Sequence, residues 1–582
     1  MATPAATTRA PSLEGEDRTS LSPSLSHRGD LAKSNSHSSS HRNEEKPSVS
    51  TPTPSNDHVY PSGLTFWLIF SSTIAAVLLV ALDQTICATA IPEVTNQFKT
   101  FSDIGWYGSA YLLTSTCFQP LFGRLYARFS IKYVFLAAFT IFELGSLICG
   151  VAQDSPTFIV GRAVAGLGMS GTYSGTMIIV TLISPVQKRP ALMSVVGAMY
   201  GLGASIGPIV GGAFTSETTW RWCFYINLCF YPLVGLAVLF LLSIPPRPVQ
   251  EGEVKPSVLK RLITIDWPGV TLSLTSMICL LLALQWGGIK YAWSDSKVIG
   301  LLVGFVLIAI AFIVEQWYLG DNAIIPFRLH KQRTVGFGSI VNFCIAASYF
   351  GLLYFIPLYF QTVRGSSAIR SGVQTLPFIF GVIASNAISG GLITRFGYYI
   401  PILILGTALT SLGSGLLYLL RPDSTQSMWV GLQFLAGIGP GLSFMIPFSA
   451  VSARLEAADI EIGSAIVTFW QTLGGTIFVS VCQSIFQNDF VRQLKSIPNA
   501  PVEEIINHGV SAFRAFTPPD VLANVELAAN LAVNKTFLCS VALGGAALAS
   551  VFGMELNRRI LPIKQQQKLD EQKLSHTFTA NA

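Results

Sequence analysis

Apolar runs of about 20 residues recur along almost the whole of this 582-residue chain and constrain its fold more than any other feature. An α-helix of that length is long enough to cross the roughly 30 Å hydrocarbon core of a bilayer, and we count about 14 such runs. Because a bilayer offers the backbone no hydrogen-bond partners, these runs predict an all-α membrane protein. The predicted spans are 64–90, 104–123, 132–152, 157–181, 191–214, 222–244, 267–286, 298–317, 335–360, 373–394, 399–420, 428–450, 463–486 and 535–555.

The composition is unlike that of a soluble protein. Of all residues 51% are hydrophobic and 12% are charged, whereas soluble domains average about 25% charged residues. The net charge of +6 does not indicate a nucleic-acid partner, because Lys and Arg concentrate in short loops, as the positive-inside rule describes. The nine cysteines are scattered through apolar runs without metal-ligand spacing, so we expect no disulfide framework, no metal and no other cofactor.

The loops between the predicted spans assign the two sides of the membrane. An even number of spans puts both termini on one side, where the loops hold about 14 Lys and Arg residues against about 7 on the other. Both termini are therefore predicted to be cytoplasmic. Residues 1–62 form a predicted disordered tail, residues 557–582 a second tail, and residues 487–534 a partly helical outer loop. We expect a plasma-membrane protein, with a vacuolar or vesicular membrane as the alternative.

The stretch GLGASIGPIVGGAF in the fifth predicted span carries glycines at four-residue spacing. Gly203, Gly207 and Gly211 fall on one face of a helix and remove side chains that would keep a neighbouring helix away. Pro208 cannot donate a backbone hydrogen bond and is expected to bend the helix. The pattern predicts a close helix crossing, which is either purely structural or part of a mechanism.

Few ionisable residues lie inside the predicted spans away from their first and last residues, and the candidates are Asp83, Glu143, Arg162 and Glu315. Each costs at least about 2.5 kcal/mol on insertion scales, so each is a functional candidate. Asp83 and Glu143 are candidates to exchange a proton, and Arg162, always charged, needs a carboxylate, a substrate or water beside it. The alternative for the acids is a structural group, protonated or paired with arginine. Glu315 lies near a span end and can reach the interface.

Further candidates carry less specific signals. In the loop GRLYARFSIK, Gly123, Arg128 and Lys132 form a basic segment at a helix end, which a positive-inside anchor also explains. Aromatic and amide residues of the second half are candidates to line a cavity for a large, mostly apolar ligand, although helix packing explains them too. These residues are Tyr354, Gln374, Trp470 and Gln471.

One glycosylation sequon is present, at Asn534. It lies next to the last predicted span, which argues against its use by the glycosylation machinery.

Together these features resemble the major facilitator superfamily, and within it the 14-span drug:proton antiporters common in fungi. The resemblance covers residues 64–556. Its most specific element is the antiporter motif of the fifth span, at Gly203, Gly207, Pro208, Gly211 and Gly212. Two more motifs match, an acidic motif in the first span and an Arg-Gly motif in the fourth. Their residues are Leu82, Asp83, Thr85, Ala90, Ile91 and Pro92, and Arg162, Gly166 and Gly168.

The resemblance implies a major facilitator fold with two six-helix bundles, residues 63–245 and 334–556, joined through residues 246–333 by a cytoplasmic linker and two extra helices. It implies a monomeric exporter of a toxin, secondary metabolite or drug that is driven by the proton gradient and works by alternating access. Proton-coupled import of a nutrient or siderophore uses the same fold and stays open. A membrane enzyme or receptor is a remote alternative, because no polar catalytic cluster or signalling region is evident.

The loop after the second span departs from the family pattern. Ala127 stands where the family has an aspartate, Ser130 where it has a glycine and Ile131 where it has an arginine. A charge lock at the cytoplasmic side cannot use that acid. We therefore expect the gate to be held by another contact or to be looser.

Overall fold

A computed structural model describes residues 61–98, 103–243, 257–288, 290–456, 459–502, 505, 513–515 and 517–555. Their regular elements are helices, with one isolated bridge between Gly287 and Tyr291. In chain order the helices are α1 (Gly63–Phe98), α2 (Ile104–Arg128), α3 (Ile131–Val151), α4 (Ser155–Ile183), α5 (Arg189–Glu217), α6 (Trp222–Leu241), α7 (Val258–Ile263), α8 (Trp267–Trp286), α9 (Ser296–Leu319), α10 (Phe327–His330), α11 (Arg333–Thr362), α12 (Ala368–Gln374), α13 (Leu376–Phe396), α14 (Ile400–Leu417), α15 (Gln426–Ser443), α16 (Ile446–Ser452), α17 (Ile460–Leu494) and α18 (Pro519–Val551).

Helices occupy all of the predicted spans, and the all-α expectation is confirmed. Over the described residues, 13 helical segments are long and apolar enough to cross a membrane. The second predicted span is the helix α2, which has 25 residues but does not reach that hydropathy. It packs between α4 and α17, so protein rather than lipid surrounds many of its polar side chains. Apart from residues 61 and 62, the two predicted tails lie outside the described residues.

The predicted outer loop 487–534 is the largest difference from the expected boundaries. The helix α17 continues to Leu494, and α18 already begins at Pro519. The amphipathic stretch before the last span continues that helix because its apolar side, including Val521, Val525 and Ala529, is buried against the bundle.

The long helices pack in two groups. The first group is α1 to α6, with close pairs α3–α4, α1–α5, α2–α4 and α3–α6. The second is α11, α13, α14, α15, α17 and α18, with close pairs α13–α15, α11–α17, α14–α15 and α11–α18. The groups meet where α5 packs on α13 and α2 packs on α17. The remaining pair, α8 and α9, contacts both groups through α8.

The glycine face of α5 lies directly on α1. A Cβ atom at Gly203 would stand 2.5 Å from the carbonyl oxygen of Leu78, and Cβ atoms at Gly207 and Gly211 would collide with hydroxyl groups of α1. The other side of α5 faces the second group, where a Cβ at Gly212 would meet Ile369 of α12 at 2.6 Å. The glycines thus allow α5 to fit between the two groups at backbone distance.

One end of the molecule, which we call the basic face, holds Arg124, Arg128, Arg261 and Arg328. There the linker between the two groups is bonded to the end of α2. Arg124 Nε donates to the carbonyl oxygen of Ala323 at 2.7 Å, and Arg128 Nη1 donates to Thr264 Oγ1 at 3.0 Å. Only 7% of the Arg124 surface is exposed. The hydrogen bond to the Ala323 carbonyl therefore replaces water around the guanidinium.

Arg328 of α10 connects the same linker to the second group of helices. Its guanidinium donates two hydrogen bonds to Asp459, just before α17, at 2.8 and 2.9 Å, and a third to Asp321 at 3.1 Å. Hydrogen bonds to Asp459 and Asp321 raise the pKa of Arg328 above its usual range, so the side chain stays charged. The ionic contacts of Arg328 therefore join the linker to the second group, whereas Ala127 supplies no charge.

The glycine face generates a stability prediction. Gly203→Ala places a methyl group against the Leu78 carbonyl and should cost about 1–3 kcal/mol, as overpacking does. Gly201→Ala is the matched control, because its nearest neighbour, Ile383 Cγ1, is at an ordinary 3.7 Å. Thermal unfolding of the detergent-purified protein measures both. Equal melting temperatures for the two variants would contradict the packing described here.

The linker contacts generate a second prediction. Arg328→Ala removes the two hydrogen bonds that the guanidinium donates to the Asp459 carboxylate. Amide hydrogen exchange at the start of α17 should rise by up to about fivefold, because a solvent-screened ion pair contributes about 1 kcal/mol. High salt should shrink the difference. Arg333→Ala, which removes an exposed arginine at the start of α11, is the control and should leave the exchange unchanged.

Candidate functional site

A buried ion pair joins α1 to α4. Asp83 of α1 and Arg162 of α4 are both 0% exposed, and Arg162 Nη1 lies 2.7 Å from Asp83 Oδ2. Removing two charges from water costs several kcal/mol each, and only close pairing with further hydrogen bonds offsets that cost. The structure thus brings together two of the residues that the sequence singled out.

The backbone and aromatic rings of α2 hold the arginine in place. Arg162 Nε donates to the carbonyl oxygen of Tyr107 at 3.0 Å, and the guanidinium carbon lies 4.4 Å from the centre of the Tyr111 ring. Glycines allow this proximity, because a Cβ at Gly166 would collide with the Tyr111 carbonyl and one at Gly168 with the backbone of Phe142. The glycines beside Arg162 therefore bring α2 and α3 within reach of the charge.

Asn227 of α6 completes the coordination of the carboxylate. Its Nδ2 donates to Asp83 Oδ1 at 3.1 Å and to Ser146 Oγ of α3, also at 3.1 Å. Asn227 is fully buried. Sequence reasoning missed it, although a single asparagine in the otherwise apolar WCFYINLCFY was a usable signal.

Glu143 lies on α3, one helical turn before Ser146, and is 4% exposed. Neither of its carboxyl oxygens has a hydrogen-bond partner among the described residues. Glu315 is different, because its Oε2 accepts a bond from Gln316 at 2.5 Å in a cluster with Asp266 at the end of α9. Glu143 therefore belongs to the surroundings of the ion pair and Glu315 to the linker.

A central cavity lies between the two groups of helices. Its open volume is only about 10 Å³, roughly the space of one water molecule. Gln84, the residue after Asp83, faces it and accepts a hydrogen bond of 2.5 Å from the hydroxyl of Tyr200. Both groups contribute to the lining, which is mostly apolar with a few hydroxyl and amide groups. The lining residues are Gln84, Leu112, Ser115, Met169, Tyr200, Phe350, Tyr354, Thr472, Gly475, Thr476 and Val479.

Of the four predicted cavity residues, Tyr354 is the one that lines this cavity. Gln471 is buried beside the Tyr173 hydroxyl. Trp470 Nε1 donates to His330 Nε2 at 3.0 Å and so contacts the linker. Gln374 lines a separate, wider cleft of about 760 Å³ between α12, α13 and α15. Trp470 and Gln374 project away from the centre because helix rotation, which the sequence does not reveal, turns them outward.

The remaining predicted residues lie outside the ion-pair region. Gly123 packs against Ala465 of α17, and Lys132 is half-buried in the first turn of α3. Asn534 is buried within α18, and its Nδ2 donates to the carbonyl oxygens of Tyr418 at 3.1 Å and Leu420 at 3.3 Å. In this conformation its side chain has no space for a glycan. Across the part of the chain that the structure covers, no cluster of three or more His, Cys, Asp or Glu side chains is arranged to bind a metal.

Comparison with known sequences places this chain among membrane transporters. Residues 73–479 match the family model described as Major Facilitator Superfamily. The chain is 42% identical over 482 residues to the MFS-type transporter phomT of Diaporthe leptostromiformis, covering 82% of this chain and 81% of that protein. It is 40% identical over 495 residues to the MFS-type efflux pump MFS1 of Arthroderma benhamiae, covering 85% and 92%. It is 42% identical over 496 residues to the efflux pump aflT of Aspergillus parasiticus, covering 85% and 96%.

Solved structures show the same fold at low identity. A bacterial homologue of the human lysosomal transporter Spinster, inward-facing and occupied, aligns with a TM-score of 0.55 at 14% identity, over 86% of this chain and all of that one. The Escherichia coli fucose:proton symporter FucP aligns with a TM-score of 0.51 at 12% identity, over 84% of this chain and 100% of that one. With its two packed groups of helices, its buried ion pair and these relatives, the chain is a transporter rather than an enzyme, and it belongs to the Major Facilitator Superfamily.

Proposed function

We propose that this transporter exports a small, largely apolar organic compound in exchange for protons. The observation that carries the proposal is the Asp83–Arg162 pair, a titratable carboxylate buried in the membrane beside the central cavity. Asp83 and Gln84 are consecutive, so α1 presents the ion pair on one side and a cavity-lining amide on the other. A proton on Asp83 and a compound at Gln84 therefore act on the same turn of helix.

The nature of the cavity supports an apolar cargo. Its lining combines Leu112, Met169, Phe350 and Val479 with amide and hydroxyl groups that fix orientation, the usual composition of small-molecule sites. The relatives named as efflux pumps, MFS1 and aflT, support the outward direction. A toxin, a secondary metabolite or a drug fits this description.

The small size of the cavity supports alternating access. About 10 Å³ admits no organic compound, so the α5–α13 and α2–α17 contacts must separate for cargo to enter. Such rocking of two halves about a central site is the general mechanism of these folds. Breaking the Asp83–Arg162 pair by protonating Asp83 changes the packing of α1 on α4, and α1 is also the helix on which α5 lies. A membrane potential of 100 mV adds about 2.3 kcal/mol per charge moved.

We further propose a monomer in the plasma membrane with the basic face and both termini towards the cytoplasm. The excess of Lys and Arg in the loops on that side supports this orientation. An epitope tag at either terminus should bind antibody only after the cells are permeabilised. Binding to intact cells would reverse the orientation.

Proton coupling is tested by Asp83→Asn, which keeps the size of the side chain and removes its charge. In proteoliposomes, pH-gradient-driven export of a compound against which expression protects yeast should fall to background. Asp154→Asn is the matched control, since Asp154 caps α4 outside the membrane core by accepting a bond from the Thr157 amide. If Asp83→Asn is folded and still exports with the gradient, the coupling assignment is wrong. Accumulation in the direction of the proton flow would instead indicate an importer.

The cavity generates a separate prediction. Tyr200→Phe removes the hydroxyl that donates to Gln84 while keeping the ring, so the free amide must be satisfied by cargo or water. We expect the KM for the cargo to change severalfold, because one hydrogen bond contributes about 1 kcal/mol. Coupling of transport to the proton gradient should stay intact. A loss of coupling with an unchanged KM would place Tyr200 in the proton site and not in the cargo site.

A further inference from the structure

Glu143 is a buried acid for which the ion pair does not account. It lies in the middle of α3, is 4% exposed, and has two carboxyl oxygens without a hydrogen-bond partner among the described residues. Leu144 and Leu147 on the adjoining face of α3 are exposed to the surroundings, which in a bilayer are lipid. No hydrogen bond from a described residue stabilises a charged carboxylate at this buried position, so the charged form is costly.

The same cluster contains one buried cation. Asp83, on α1, is the charged side chain that acts electrostatically on Glu143. Arg162, on α4, is bonded to Asp83, and its guanidinium carbon lies 4.4 Å from the centre of the Tyr111 ring. The thiols of Cys87 and Cys149 also act on Arg162 electrostatically. From α6 comes the neutral amide of Asn227, which links Asp83 to Ser146 one turn from Glu143. Asp83 is therefore paired with the arginine, whereas Glu143 has no ion-pair partner among the described residues.

From this arrangement we propose that Glu143 is a second proton-binding site of the transporter, which holds a proton whenever the protein is closed as it is here. Arg162 neutralises one carboxylate, and the second acid must be neutral because a net negative charge in the low dielectric is costly. Protonation forms one carboxyl O–H bond with a proton from water at one face, and release returns it to water at the other. The inference rests on the proposed proton coupling and adds to it the place where the proton resides while both faces are shut.

The arrangement also limits how many protons move. When Asp83 is protonated, Arg162 loses its ionic partner, so a single proton on either acid leaves the cluster with a total charge of zero. The empty protein can then close only with one proton bound, which prevents an unproductive return without exchange.

Infrared spectroscopy tests the assignment without cargo. The full-length protein is reconstituted in phosphatidylcholine liposomes, and the C=O stretch of protonated carboxyl groups is recorded at pH 7 in water and in heavy water. We expect a band that shifts with deuteration in the wild type and that is lost in Glu143→Gln. Glu93→Gln, at an exposed position of α1, is the matched control and should leave the band unchanged. A wild type without the band, or a band that survives Glu143→Gln, overturns the proposal.

Chemical labelling provides a test that needs no variant. Dicyclohexylcarbodiimide reacts with protonated carboxyl groups in apolar surroundings, and mass spectrometry of the wild type locates the adduct. Glu143 should be labelled at least about tenfold more than Glu93, because Glu93 is exposed and lacks the apolar surroundings that the reagent requires. Labelling of Glu93 but not of Glu143 overturns the proposal even if Glu143→Gln fails to fold. The proposed coupling fails separately, if Asp83→Asn still exports with the gradient while Glu143 of the wild type is found protonated.

Discussion

The pairing of Asp83 with Arg162 is the interaction on which the first group of helices depends. A guanidinium at the centre of a membrane protein is stable only if a carboxylate, backbone carbonyls and an aromatic face replace its water, and Asp83, Tyr107 and Tyr111 supply these. The requirement draws α1, α2 and α4 to one point, and Asn227 adds α6. Four helices are thus positioned by one pair of charges. A change in the charge of Asp83 therefore alters contacts in all four helices.

Close helix packing makes this concentration of charge possible. Gly166 and Gly168 bring α2 and α3 to backbone distance from α4, while Gly203 and Gly207 bring α5 to α1. Because α5 also packs on α13, the helix next to the ion pair is also the helix that contacts the second group. A movement of α1 therefore has a short mechanical route to the boundary between the two halves, through backbone contacts that cannot be compressed.

At the basic face, the two groups of helices are held together by other contacts than the buried ion pair. Ala127 provides no acid at the loop after α2. The linker supplies contacts there, from Arg124 at the carbonyl oxygens of Asp321 and Ala323 to Arg328 on Asp459. The segment that carries the two extra helices is thereby bonded to both halves. Arg189 at the start of α5 also donates directly to the carbonyl oxygen of Ser452. The sequence predicted that another contact would be needed, but its partners are far apart in the chain.

The sequence by itself determined the membrane class, the all-α fold, the position of nearly every span and the family, because the length of apolar runs and the cost of buried charge are local properties. It also identified Asp83, Glu143 and Arg162, since an ionisable residue in an apolar run is conspicuous wherever it lies. Only the tertiary structure decided which of them are partners, that Asn227 joins them, and that Tyr354 faces the cavity while Gln374 and Trp470 do not. Those facts depend on the rotation and packing of helices distant in sequence, which hydrophobic periodicity does not specify when nearly every face of a helix is apolar.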